Sequence, residues 1–129
     1  MSFKTIAIIT AVVGCALGCA YLFLGNLVVA RWQIEPTDSV LVLSRRIGAL
    51  YLGLAVMYFI ARSAPVSLAR TALSAGTAVA LSGLALLGVY EFSSGRVGPG
   101  IFVSAGIELL IAIAYIRVLV SERKTPTQG

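Results

Sequence analysis

Four long apolar runs, separated by short polar segments, set the pattern of the chain. They cover about residues 5–30, 38–62, 67–91 and 99–120, and we call them spans one to four. A helix needs roughly 20 apolar residues to cross the hydrocarbon core of a bilayer. The pattern therefore predicts an all-α integral membrane domain, an antiparallel four-helix bundle that runs up-down-up-down. The polar segment 121–129 is predicted to be a tail without regular structure.

Span two contains two arginines close to its start. Thr37, Asp38 and Ser39 can each cap a helix, and the apolar segment 40–43 follows directly. A helix that begins there places Arg45 and Arg46 about two turns inside the span. A charged side chain at that depth is costly and needs a partner.

The acid inside another apolar run is Glu108, in span four. Counted from the same membrane side, Glu108 and Arg45 differ in depth by only about 3 Å. We therefore predict a buried Arg45–Glu108 pair, with Arg46 as the weaker choice of partner. The pair is either a ligand or proton site or a structural ion pair that fixes the helix register. Polar side chains predicted to join the cluster are Asn26, Tyr51, Tyr90 and Ser104.

The composition agrees with a membrane location. Apolar residues make up 59% of the chain and charged residues 12%, against about 25% charged residues in soluble domains. The net charge of +5 is spread singly or in pairs between apolar runs, without a basic stripe. This distribution excludes nucleic acid as a predicted partner and favours contact with the lipid bilayer.

The distribution of basic residues predicts the topology. If Arg45 and Arg46 are submerged, six basic residues flank the spans on one side and two on the other. The six are Lys4, Arg62, Arg70, Arg117, Arg123 and Lys124, and the two are Arg31 and Arg96. Both termini are therefore expected in the cytoplasm, with the protein in a bacterial inner membrane.

The sequence contains few of the residues that support catalysis, redox chemistry or metal binding. There is no histidine, and Cys15 and Cys19 do not form a C-x-x-C motif. Haem ligation and thiol redox chemistry are therefore disfavoured. The sequence contains no nucleophile and base set, phosphate loop or metal cluster, so no catalytic residue, metal or cofactor is predicted.

Short motifs predict how the spans pack. Gly14 and Gly18 form a small-xxx-small pair, which favours a contact inside the bundle and, as the alternative, self-association. The short turn 63–65 predicts that spans two and three are antiparallel neighbours.

The segment Arg45-Arg46-Ile47-Gly48-Ala49 and the segment Gly106-Ile107-Glu108-Leu109 resemble those of small bacterial four-span membrane proteins described as DoxX-like. The resemblance covers most of the chain and implies a four-helix bundle, without a defined activity or catalytic residues. Small multidrug transporters are similar in size but carry a glutamate in their first span, which is absent from residues 5–30 here.

These observations predict a non-enzymatic small membrane protein. It would act as an accessory subunit of a larger membrane complex or as a bundle that binds a small ligand or lipid. The alternative is a proton-coupled small-molecule transporter that uses Glu108 as its titrating group.

Overall fold

A computed structural model describes residues 1–123, and their regular structure is helical throughout. There are five helices: α1 (Phe3–Phe23), α2 (Gly25–Arg31), α3 (Asp38–Ala61), α4 (Leu68–Ser93) and α5 (Ile101–Arg123). The four longer ones are long and apolar enough to cross a membrane, as expected of a small multi-pass membrane protein. The predicted all-helical bundle with four spans is confirmed.

The helix ends follow the capping signals in the sequence. The hydroxyl of Thr37 accepts the backbone N–H of Val40 at the start of α3. Ser67 caps α4 in the same way, through the N–H of Arg70. The predicted extension of span two through residues 40–43 is therefore confirmed, and both arginines lie within α3.

Two boundaries differ from the prediction. Span one is not one continuous helix, because α1 ends at Phe23 and the chain restarts as the short helix α2 after Leu24. The predicted tail 121–129 begins inside α5, which continues to Arg123. The rest of that tail lies outside the described residues.

The helices form an open arc in the order α3, α1, α5, α4. The close packing is between α1 and α3 and between α4 and α5, and a smaller contact joins α1 to α5. Although a short turn connects α3 to α4, these helices make little direct contact. The prediction that spans two and three pack as neighbours was wrong, because each helix instead packs against a partner farther away in the sequence.

Small residues bring α1 and α3 close together. A Cβ atom at Gly48 would lie 2.8 Å from the carbonyl oxygen of Gly18, and one at Gly14 would contact Ala55. Gly14 and Gly18 are both buried. The small-xxx-small face of α1 is therefore covered by α3, the internal contact favoured by the sequence.

We call the end of the bundle with the start of α1 and the end of α5 the terminal end. Its core joins all four long helices, through Phe3 of α1, Tyr58 of α3, Ala78 of α4 and Tyr115 of α5. The rings of Phe3 and Tyr115 meet edge to face, 6.5 Å apart. This cluster accounts for the contact between the two helix pairs at that end.

The opposite end, with α2 and residues 94–100, is the loop end. There the backbone N–H of Gly98 donates to the carbonyl oxygen of Trp32 over 2.7 Å. Gly100 lies against Arg31, where a Cβ atom would be 2.2 Å from the carbonyl oxygen. The two helix pairs are therefore joined at both ends of the bundle, and the space between them lies in the middle.

Candidate functional site

An apolar cleft of about 540 Å³ lies on the concave side of the helix arc. Helices α1 and α5 form its floor, and α3 and α4 form its two rims. Because α3 and α4 make little direct contact, the cleft opens sideways, toward the region that lipid occupies. The cleft is lined by α1 (Thr10, Val13, Gly14 and Leu17), by α3 (Ile47, Leu50, Tyr51, Leu54, Met57 and Tyr58), by α4 (Ala72, Leu73, Gly76, Thr77, Ala80, Leu81 and Leu84) and by α5 (Ile107, Glu108 and Ile111).

Glu108 is the charged residue of this lining. It projects from α5 and is half-buried. No lysine or arginine among residues 1–123 lies within salt-bridge distance of it, since the ion pairs found there involve Glu91 and Glu122. The cleft therefore presents a carboxyl group without a basic partner to any molecule that enters.

The other polar residues of the lining are hydroxyl-bearing. Thr77 donates its hydroxyl to the carbonyl oxygen of Leu73, one turn earlier in the same helix, over 2.8 Å. Thr10 accepts the hydroxyl of Tyr115 over 3.0 Å. These two threonines are thus engaged within the protein, which leaves Glu108 and Tyr51 as the polar groups most free to meet a ligand.

The ring of Tyr51 is held in place by a second tyrosine. It stacks on Tyr21 of α1, with ring centroids 5.7 Å apart and planes within 5° of parallel. Tyr21 also contacts Trp32, at a centroid distance of 6.3 Å. This row of aromatic rings fixes the wall of the cleft toward the loop end.

Toward the terminal end, the cleft is bounded by Tyr58 of α3, which packs against Tyr115 of α5. Their ring centroids lie 5.8 Å apart, and both side chains are almost completely buried. Tyr115 shares one face of α5 with Ala105 and Ala112, and all three are buried.

The predicted Arg45–Glu108 pair is wrong. Arg45 and Arg46 are both exposed on α3, and neither lines the cleft. The close contact of Gly48 with α1 fixes the rotation of α3. Arg45 lies two residues before the lining residue Ile47, roughly 160° round the helix, and therefore faces away from Glu108.

The remaining residues of the predicted cluster are separated from Glu108. Asn26 is exposed on the short helix α2, and Tyr90 is exposed near the end of α4. Ser104 is half-buried on α5 but does not line the cleft. Of the four polar side chains that were expected near Glu108, the structure brings Tyr51 to the same cleft.

A partly buried ion pair does exist, at the terminal end. Arg70 of α4 pairs with Glu122 of α5, and both side chains are about 15% exposed (16% and 14%). Arg70 also donates to the carbonyl oxygen of Ala64 over 2.9 Å, and its guanidinium lies 4.3 Å from the ring centre of Phe3. The sequence analysis counted Arg70 among the residues that flank the spans and placed Glu122 in the tail 121–129, although their positions next to spans three and four could have suggested the pairing.

Ser44 was also missed. Its side chain is buried and donates its hydroxyl to the carbonyl oxygen of Tyr21 over 2.9 Å, next to the point where α1 ends. In this part of α3, the polar residue that faces inward is therefore Ser44. It lies one position before Arg45, which was predicted to be the partner of Glu108.

No protein-family model, curated protein or solved structure matches the chain. The resemblance to DoxX-like proteins therefore stays a prediction.

Proposed function

We propose that this small membrane protein binds a hydrophobic small molecule in the cleft between its two helix pairs, and that it is not an enzyme. The observation that carries the proposal is the position of Glu108, a carboxyl group that forms no ion pair with any residue of 1–123 and lies in an apolar cleft that opens sideways. A volume of about 540 Å³ lies within the range typical of small-molecule sites.

The joined ends of the bundle support entry from the bilayer rather than from water. At the loop end the two helix pairs meet through Gly98 and Trp32, and at the terminal end through Arg70 and Phe3. Between these contacts, the exposed lining residues Leu50 and Leu54 of α3 and Leu84 of α4 form an apolar opening.

Two positions on α4 give a direct test. Gly76 lines the cleft, and a Cβ atom placed there meets nothing within 4 Å, so Gly76→Leu should narrow the cleft without a clash at the backbone. Gly83 has equally open surroundings but lies outside the lining, so Gly83→Leu is the matched control.

The measurement is native mass spectrometry of protein purified in mild detergent, which identifies bound molecules by mass. We expect a bound small molecule in the wild type and in Gly83→Leu, and its loss in Gly76→Leu. The same bound molecules in all three proteins would contradict the proposal. Other proteins that co-purify with all three would favour the role of an accessory subunit.

Proton-coupled transport through Glu108 is the second candidate. It is favoured by the length of the cleft along the bundle. The cleft runs from Ile107, in the part of α5 toward the loop end, to Ala72, in the part of α4 toward the terminal end. A transporter reconstituted in liposomes would show ligand-dependent proton uptake that disappears in Glu108→Gln, whereas a binding protein would show none.

The location that we propose is a bacterial inner membrane with both termini in the cytoplasm. Its support is the predicted excess of basic residues on the side of the termini. Association with a larger membrane complex or with further copies of the chain is also a proposal.

A further inference from the structure

The cleft must distinguish its ligand from lipid, because lipid tails fill any apolar opening inside a bilayer. Contact with a leucine-lined wall gives a tail and a ligand similar interactions, since hydrocarbon is as apolar as the wall. Selection therefore depends on the polar groups of the lining, and the charged one is Glu108.

Among residues 1–123, no positive charge lies beside Glu108 to match it. Arg45 and Arg46 are exposed and outside the lining, and Arg70 at the terminal end pairs with Glu122. Within residues 1–123, the cleft lining includes no lysine or arginine. An unpaired carboxylate in low-dielectric surroundings is unfavourable unless it takes up a proton or a counter-charge or hydrogen-bond donor reaches it.

Aromatic rings line the same cleft. Tyr51 is held by its stack on Tyr21, and Tyr58 lies on the other side toward the terminal end. The face of a tyrosine ring attracts a cation, most strongly where water is excluded. Carboxylate and ring faces thus favour the same kind of group.

From this arrangement we infer that the cleft selects a lipophilic cation: a molecule with an apolar body and one positive charge, such as an amphiphilic amine or a quaternary onium ion. The charge would lie beside Glu108, and the apolar body would fill the space between Leu50, Gly76 and Leu84. This inference rests on the proposed function, which requires only that the cleft holds a hydrophobic molecule.

Two probes of nearly equal size and shape separate charge from hydrophobicity. Tetraphenylphosphonium carries one positive charge and tetraphenylborate one negative charge. Binding of each is measured by equilibrium dialysis in detergent, with the wild type, Glu108→Gln and Gly76→Leu. Glu35→Gln is the charge-matched control, since Glu35 is exposed in the connection between α2 and α3.

We expect Glu108→Gln to weaken tetraphenylphosphonium binding by about tenfold, the ratio that corresponds to ~1.4 kcal/mol of lost charge interaction. It should leave tetraphenylborate binding unchanged or make it tighter. Gly76→Leu should weaken binding of whichever probe the wild type binds, and Glu35→Gln should behave like the wild type. A melting curve for each variant confirms that it is folded.

The outcomes separate the two claims. If Gly76→Leu weakens phosphonium binding but Glu108→Gln does not, the ligand is not selected by charge and the cation inference fails alone. Equal weakening of both probes in Glu108→Gln would also overturn it. If Gly76→Leu binds both probes as the wild type does, the cleft is not a binding site and the proposed function fails as well.

Discussion

Gly18 and Gly48 lie back to back where α1 crosses α3, so closely that a Cβ atom on Gly48 would be 2.8 Å from the carbonyl oxygen of Gly18. The same atom would lie 2.9 Å from the backbone nitrogen of Leu22. Backbone atoms cannot move aside as a flexible side chain can. Gly48 therefore determines both the distance between the helices and the rotation of α3.

Gly48→Ala should destabilise the protein. Overpacking a tight contact costs about 1–3 kcal/mol, which outweighs the gain of up to ~1 kcal/mol from replacing a helical glycine. The control is Gly53→Ala in the same helix, where a Cβ atom meets nothing within 4 Å. Thermal unfolding in detergent should show a lower Tm for the first variant and an unchanged or higher Tm for the second. Equal effects would contradict the predicted role of Gly48.

The hydrogen bond from Tyr115 to Thr10 should contribute measurably to the attachment of α5 to α1. Removal of the hydroxyl in Tyr115→Phe should cost about 0.5–1.5 kcal/mol, because both groups are at least partly buried. Thr10→Val should cost a similar amount, and the double variant little more than either. Tyr90→Phe, at an exposed position, is the control and should be neutral. Additive losses in the double-mutant cycle would show that the two hydroxyls do not interact.

The ion pair of Arg70 and Glu122 should stabilise the terminal end. Either Arg70→Leu or Glu122→Leu should cost about 1–2 kcal/mol, between the values typical of exposed and fully buried pairs. The double variant should lose less than the sum of the two single changes.

The exposed pair of Arg96 and Glu91 at the loop end provides the comparison, since its side chains are 54% and 36% exposed. Its coupling energy should be below about 0.5 kcal/mol and should decrease further in high salt. Unfolding in detergent at two salt concentrations distinguishes the pairs. Equal coupling energies for both pairs would mean that partial burial of Arg70 has no energetic effect.

Arg45 and Glu108 should not be coupled. Because Arg45 is exposed and faces away from the cleft, the effects of Arg45→Leu and Glu108→Leu on thermal stability should add to within about 0.5 kcal/mol. A coupling energy above about 1 kcal/mol, the smallest value expected of a buried pair, would restore the pair that the sequence suggested.

The topology can be tested with a reporter enzyme that is active only in the periplasm. Fused after Gly129, it should give no signal if both termini are cytoplasmic. Fused within the connection between α2 and α3, near Glu35, it should be active. The reverse pattern would overturn the orientation.

The presence and approximate bounds of the four long helices could be predicted from the sequence, because hydropathy reports directly on membrane-spanning segments; the break between α1 and α2 could not. The caps at Thr37 and the inward face of Ala105, Ala112 and Tyr115 could also be predicted, because small and polar residues recur there at helical spacing. These features depend on local sequence.

The rotation of α3 and the order of the helices could not be predicted. In a membrane helix the inward and outward faces are both apolar, so the pattern around Arg45 does not show which side points inward. The rotation is set by a backbone contact between Gly18 and Gly48, which are distant in sequence. The cleft was missed for a related reason, because the short turn 63–65 suggested that α3 and α4 pack together.

The order of the helices has a consequence for assembly during synthesis. Both members of the first pair, α1 and α3, are complete once Ala61 has been made, whereas α4 and α5 follow from Leu68 onward. Each pair buries its closest contacts without the other, so the protein can be inserted as two successive helical hairpins that dock afterwards. The cleft does not exist in either half and is created only by the docking step. A ligand that binds in the cleft would therefore recognise only chains whose two hairpins have both been inserted and docked.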